Sequence, residues 1–185
     1  RVIILLTGTI EKLRKQTQQR VDEGFTGLDS KALTKDRDSV RVGVGLNDAR
    51  VSGFAVTSTM SDFNTSSAQK IVGRLDAIHD PIVFVLKKNK SVLEKLERWL
   101  RVCNTTRTKK TIDLPMLLID DEADNASINT KDKENPTAIN AAIRKLLALF
   151  SKANYVGFTA TPYANIFIDP ETDDKMIAED LFPRD

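Results

Sequence analysis

Only one cysteine, Cys103, occurs in 185 residues. An internal disulfide framework is therefore excluded, and a reducing cytoplasm is the expected compartment. The single histidine, His79, precedes Asp80-Pro81 and has no ligand partners at metal-site spacing, so a structural role is expected for it. No stretch approaches the ~18 uninterrupted apolar residues of a membrane span. Nor does a basic-then-apolar leader open the chain, so neither a span nor a signal peptide is expected. The net charge of +2 is too small to announce nucleic-acid binding. Any such contact would fall on local runs such as Lys87-Lys88-Asn89-Lys90 or Arg107-Thr108-Lys109-Lys110, whose first reading is as solvated basic loops. None of the eight glycines is followed by another five positions later. A phosphate-cradling loop of the Gly-x-x-x-x-Gly-Lys-Ser/Thr type is thus absent from the sequence.

What is present reads as one folded domain, 41% hydrophobic and 29% charged, with neither repeats nor low-complexity tracts. Strands are expected at Val2 to Leu6, Val40 to Leu46, Gly53 to Ser58, Ile82 to Leu86, Met116 to Ile119 and Tyr155 to Phe158. The stretch from Val40 to Ser58 suggests a hairpin around Asn47-Asp48-Ala49-Arg50 whose second arm joins the main sheet. Three helices are expected. One follows Ser91-Val92-Leu93-Glu94, which has the form of a capping box, and places Val92, Leu96, Trp99, Leu100 and Cys103 on one face. Another starts at Asn135-Pro136 and repeats Ile139, Ala142, Ile143, Leu146, Leu147 and Phe150 at helical spacing. The third, between Ile10 and Val21, has a thinner stripe completed by Leu13 and Thr17. Alternation of the later strands with helices argues for βαβ units, hence an α/β fold with a mostly parallel sheet and helices on both faces.

The chemistry concentrates in Leu117-Leu118-Ile119-Asp120-Asp121-Glu122-Ala123-Asp124. An apolar run ending in four acids reads as a buried strand whose carboxyl end opens into a site, because clustered carboxylates cannot stay buried unpaired. Carboxylates at a strand tip suit a hard divalent ion, with an adjacent acid placed to orient water. One helix later, Asn154-Tyr155-Val156-Gly157-Phe158-Thr159-Ala160-Thr161-Pro162 is a second short run ending in small hydroxyl residues. Thr7, Gly8 and Thr9, after the first strand, either admit a phosphate backbone closely or simply turn the chain into a helix.

Together the acidic strand and the Gly-Phe-Thr-Ala-Thr-Pro turn resemble motifs II and III of superfamily-2 helicases and translocases, most like the form in restriction-enzyme motor subunits. The stretch from Leu5 to Thr17 is similar to the motif Ia region. More narrowly, the run through Arg20, Asp22, Glu23, Gly24 and Phe25, joined with Asp120 to Asp124 and Thr159 to Asn165, resembles bacterial helicase-like proteins bearing an endonuclease-type Z domain. The resemblance implies a RecA-like P-loop NTPase domain, with residues 1–185 a partial first motor domain whose phosphate loop lies upstream of Arg1. It also implies ATP and Mg²⁺ as cofactors, DNA as partner, and a nuclease subunit or domain alongside. By match to the family motif, Asp121 is the Mg²⁺-facing acid and Glu122 positions or activates water. Asp120 is a supporting acid at the metal, and Asp124 couples to Thr159 or Thr161. Thr7, Gly8 and Thr9 contact nucleic acid. Two other readings stay open: a metal-dependent endonuclease using Asp120, Asp121 and Glu122 directly, and a motor-like scaffold without catalysis.

Overall fold

The computed structural model describes residues 1–32, 40–66, 68, 74–106, 108–124 and 138–160. Five strands form one all-parallel sheet: β1 (Val2–Thr7), β2 (Phe54–Ala55), β3 (Ile82–Lys87), β4 (Ile112–Asp121) and β5 (Phe150–Phe158), in the order β2-β3-β1-β4-β5. The helices are α1 (Glu11–Val21), α2 (Val44–Asn47), α3 (Lys90–Asn104) and α4 (Ala138–Ala148). The α/β class and parallel sheet expected from the sequence are what the chain adopts, an architecture compatible with a RecA-like fold.

Side-chain alternation divides the sheet into two faces. Val2, Ile4 and Leu6, with Ile82, Phe84 and Leu86, and Met116 with Leu118, form one core with Leu93, Leu96, Trp99 and Leu100 of α3 and Ala142, Ile143 and Leu146 of α4. Phe63, Phe84 and Trp99 meet in tilted and edge-on contacts with ring centroids 5.7 to 6.3 Å apart. The opposite face is served by α1, which packs on β3 and β1. No described helix covers that face over β4 and β5, where Val156 and Phe158 are exposed.

Several expectations are corrected. The region Val40 to Leu46 is not a strand: Arg41 makes an isolated antiparallel bridge to Leu28 and the chain then enters α2. Gly43 explains the change, since its φ of +50° and the Glu23 carbonyl 2.0 Å from where a Cβ would sit leave no room for an L side chain. No hairpin forms there, although the second arm does join the sheet as β2, parallel to β3. The cap of α3 is Asn89, whose Oδ1 accepts from Ser91 N at 2.9 Å and Val92 N at 3.4 Å, so Ser91 is already inside the helix. Cys103, on the apolar side of α3, is partly buried against the core, and burial pushes its thiol up. The helix expected from Asn135-Pro136 begins, within the described residues, at Ala138; its proposed cap lies outside them. Strands β4 and β5 run farther than their apolar cores suggest. Pro115 is accommodated because the β4–β5 register shifts beside it and pairing to β1 begins only at Met116.

The inner face of α1 is polar rather than apolar. Arg14 and Gln18 are fully buried while Leu13 is exposed. Arg14 donates to the Ser58 carbonyl at 2.9 Å and pairs with Glu11 at 2.8 Å. Gln18 donates to Asp22 Oδ1 at 2.9 Å and accepts from Thr57 Oγ1 at 2.8 Å, and that same Thr57 oxygen accepts from Val85 N at 2.8 Å. Asp22 Oδ2 accepts from both the backbone N–H and the hydroxyl of Ser30. Burial nevertheless holds the Asp22 carboxyl above its ordinary range. This network anchors the loop after β2 to α1 by hydrogen bonds where an ordinary helix would use aliphatic contact.

Candidate functional site at the carboxyl end of the sheet

In a parallel sheet the carboxyl ends of all strands lie on one edge, so the segments following β1, β3, β4 and β5 gather there. Strand register brings the two sequence motifs together: Asp121 pairs with Phe158, and the chain continues with Ala123 N donating to the Phe158 carbonyl at 2.8 Å. The acidic tip and the bend beginning at Thr159 are therefore adjacent. Thr161 lies outside the described residues, so nothing is said of its placement.

Alternation sends consecutive acids to opposite faces. Asp121 and Glu122 are exposed, whereas Asp120 is fully buried. Asp121 Oδ1 accepts from Glu122 N at 3.1 Å, and Glu122 adopts φ +55°, the one positive value at a non-glycine position among the described residues. The Glu122 carboxylate rests against Gly8: its Oε2 lies 2.7 Å from where a Cβ on that residue would sit, so a side chain there would push the carboxylate aside. Asp124 and Thr159 are half-buried and each makes a polar or electrostatic contact.

Asp120 departs from its expected place at a metal. Continuing the parity of Met116 and Leu118, its carboxylate turns to the α3 and α4 side and has no solvent exposure. Oδ1 lies 2.8 Å from Lys88 Nζ, and Tyr155 Oη donates to Oδ2 at 2.9 Å. The Lys88 contact is a buried ion pair. Lys88, in the basic run read from sequence as a solvated loop, is itself buried, and its Nζ also donates to the Glu122 carbonyl. Its neighbours are engaged as well: Lys87 pairs with Glu11 at 3.0 Å and Lys90 with Glu94 at 3.8 Å. Glu11, held by Arg14 and Lys87 against the opposing effect of burial, has its carboxyl pushed down to about 2.

The nucleic-acid trio is divided. Thr7 is buried, and its hydroxyl donates to the Leu86 carbonyl at 3.1 Å, so it is spent inside the sheet. Gly8 is buried beneath Glu122, and of the three only Thr9 faces solvent. Sequence reasoning missed Lys88 and Tyr155. Their signal is parity: Lys88 continues Ile82, Phe84 and Leu86, while Tyr155 pairs in register with Leu118.

Cavities of about 410 Å³ and 220 Å³ are lined by other residues, the larger by α1, the segment from Asp22 to Lys31, and Thr59 and Met60. Among the described residues no three His, Cys, Asp or Glu side chains converge as a metal site, and no helix is long and apolar enough to cross a membrane. Compared with family models, curated proteins and solved structures, the chain matches none.

Proposed function

We propose that this chain is the nucleotide-facing part of a superfamily-2 motor domain, an ATP-dependent DNA helicase or translocase module working in a bacterial restriction or other DNA-defence system. One observation carries the reading: in-register pairing of β4 and β5 sets the exposed Asp121-Glu122 pair beside the turn entered at Thr159. Two acids next to a hydroxyl-bearing bend, on the edge where parallel sheets bind ligands, are what phosphoryl transfer to water requires of a motor core.

The donor set fits magnesium better than a caged metal. Mg²⁺ keeps several waters and takes one or two carboxylates plus phosphate oxygens. Asp121, exposed and using one oxygen on Glu122 N, leaves a carboxylate oxygen for that purpose. Asp120 is not available to it. When bound, the ion would neutralise charge on the phosphates. The chain's own part is played by Glu122, whose carboxylate would orient a water and take its proton, and by the turn at Thr159, which would report nucleotide state toward Thr9 and bound DNA. A metal-dependent nuclease gathers acids from several elements, and the separation of Asp120 from Asp121 favours the motor reading over that one.

The β5 edge adds support. Among the described residues β5 pairs only with β4, and Val156 and Phe158 stand exposed beside Asp121. A further parallel strand with its helix would cover that surface and bring a phosphate-binding loop to the acids, which is where the reading puts the P-loop unit. The test is Mg²⁺-dependent ATP hydrolysis by the full-length protein with and without DNA. DNA-stimulated turnover is expected, and a protein inert under both conditions would reject the proposal.

A further inference from the structure

We infer that Lys88 is a positioning residue for Glu122, and that Asp120 and Tyr155 hold it in that role. The inference rests on the reading above in which Glu122 handles water, but its structural half stands on geometry alone. Lys88 follows β3, and its backbone N–H donates to the Thr7 carbonyl at 3.1 Å, which fixes its Cα beside the end of β1. From there the side chain crosses the carboxyl end of β1 to β4, because β3 and β4 flank β1 on either side. At its end Nζ meets two groups together, at and just past the tip of β4: the Asp120 carboxylate at 2.8 Å and the carbonyl of Glu122. Tyr155, one strand farther on, fixes the other Asp120 oxygen at 2.9 Å. One lysine, by its backbone N–H and its ammonium, thus links the ends of β3, β1 and β4 at one peptide unit.

That peptide unit is the one needing support. Glu122 holds φ +55°, a conformation unfavourable for any residue with a Cβ. Relaxing it would swing the carboxylate off its seat on Gly8 and turn the carbonyl from Lys88. Burying a lysine and an aspartate is expensive, and a buried ion pair often gives no more stability than apolar side chains of equal volume. Fold stability alone therefore gives little reason for a charged pair here, whereas holding a strained carbonyl does: an aliphatic replacement could fill the volume but donate no hydrogen bond.

The test compares wild type, Lys88→Met and the double variant Lys88→Met with Asp120→Leu, all in the full-length protein. The double variant removes the orphaned charge, so a merely structural pair predicts that it recovers everything the single variant loses. The inference expects recovery of thermal stability without recovery of chemistry. In the double variant kcat for ATP should stay at least about tenfold below wild type, with KM within about twofold. The Ala123 amide, bonded to Phe158, should exchange hydrogen at least about tenfold faster while amides in the middle of β1 and β4 are unchanged. Wild-type exchange at Ala123, or wild-type kcat, in the folded double variant would overturn the inference. Faster exchange at Ala123 in a protein whose wild type hydrolyses no ATP would uphold the positioning of the turn and reject the functional reading instead.

Discussion

Replacing Lys88 by methionine leaves Asp120 with its charge in a site with no solvent exposure. At 2.8 Å the lost attraction is about 6 kcal/mol at an effective dielectric constant of about 20. Desolvation of the two ions, several kcal/mol each, offsets most of that in the intact pair, so the pair as a whole contributes little. Removing one partner restores water to neither group and is expected to cost about 3–5 kcal/mol, the size typical of a broken buried pair. Against a total stability of about 5–15 kcal/mol this is large, a fall in Tm of roughly 6–20 °C. Asp120→Leu alone should cost a similar amount by stranding the ammonium. The two together should cost less than either, giving a coupling energy above about 2 kcal/mol in a double-mutant cycle measured by urea unfolding. Additive losses, or a Lys88→Met cost below about 1 kcal/mol, would refute the claim that these charges face each other away from water.

Other perturbations have calculable outcomes. Arg14→Met keeps the length of the side chain but strands the buried Ser58 carbonyl and leaves Glu11 with Lys87 alone, and should lower stability by about 1–3 kcal/mol in urea unfolding. Leu100→Ala, at a fully buried α3 position, should cost about 2–5 kcal/mol and leave the site geometry intact, as read by an unchanged KM for ATP. Glu11 has a folded-state pKa of about 2 against an ordinary 4.5, so its contribution is complete above about 4.5 and disappears as pH falls toward about 2. Because the side chain is 38% exposed, the effect is modest. Glu11→Gln should flatten the acid limb of the urea midpoint over that window and leave the neutral-pH slope with pH unchanged.

The apolar middle of the sheet was legible because Val2 to Leu6, Ile82 to Leu86 and Leu117 to Ile119 carry a parallel strand's signature of burial on both faces. The outer halves of β4 and β5 were not, since Asp113, Pro115, Ser151 and Lys152 interrupt the pattern where the strands leave the core. Val40 to Leu46 misled because alternating valines mimic a strand, while the backbone is dictated by Gly43 packing against Glu23 from a distant segment. The face of α1 was misjudged for a related reason: Arg14 and Gln18 are buried by partners 44 and 39 residues away, which helical periodicity cannot reveal. At the site, adjacency of the acids to the threonine turn was readable from strand order. The division of labour between Asp120 and Asp121 was not, because three consecutive acids look alike until strand parity assigns each a face. Lys88 was hidden in a run of lysines whose other members pair at the surface.

If Glu122 handles water as proposed, the decisive measurement is ATP turnover in the presence of DNA by full-length protein carrying Glu122→Gln, alongside Mg²⁺-dependent ATP binding by the same variant. Glutamine keeps the shape against Gly8 and the backbone contact to Lys88 but cannot accept a proton. ATP should be bound about as tightly as by wild type while kcat falls by about 10²-fold or more. Undiminished turnover in the Glu122→Gln protein would contradict that role.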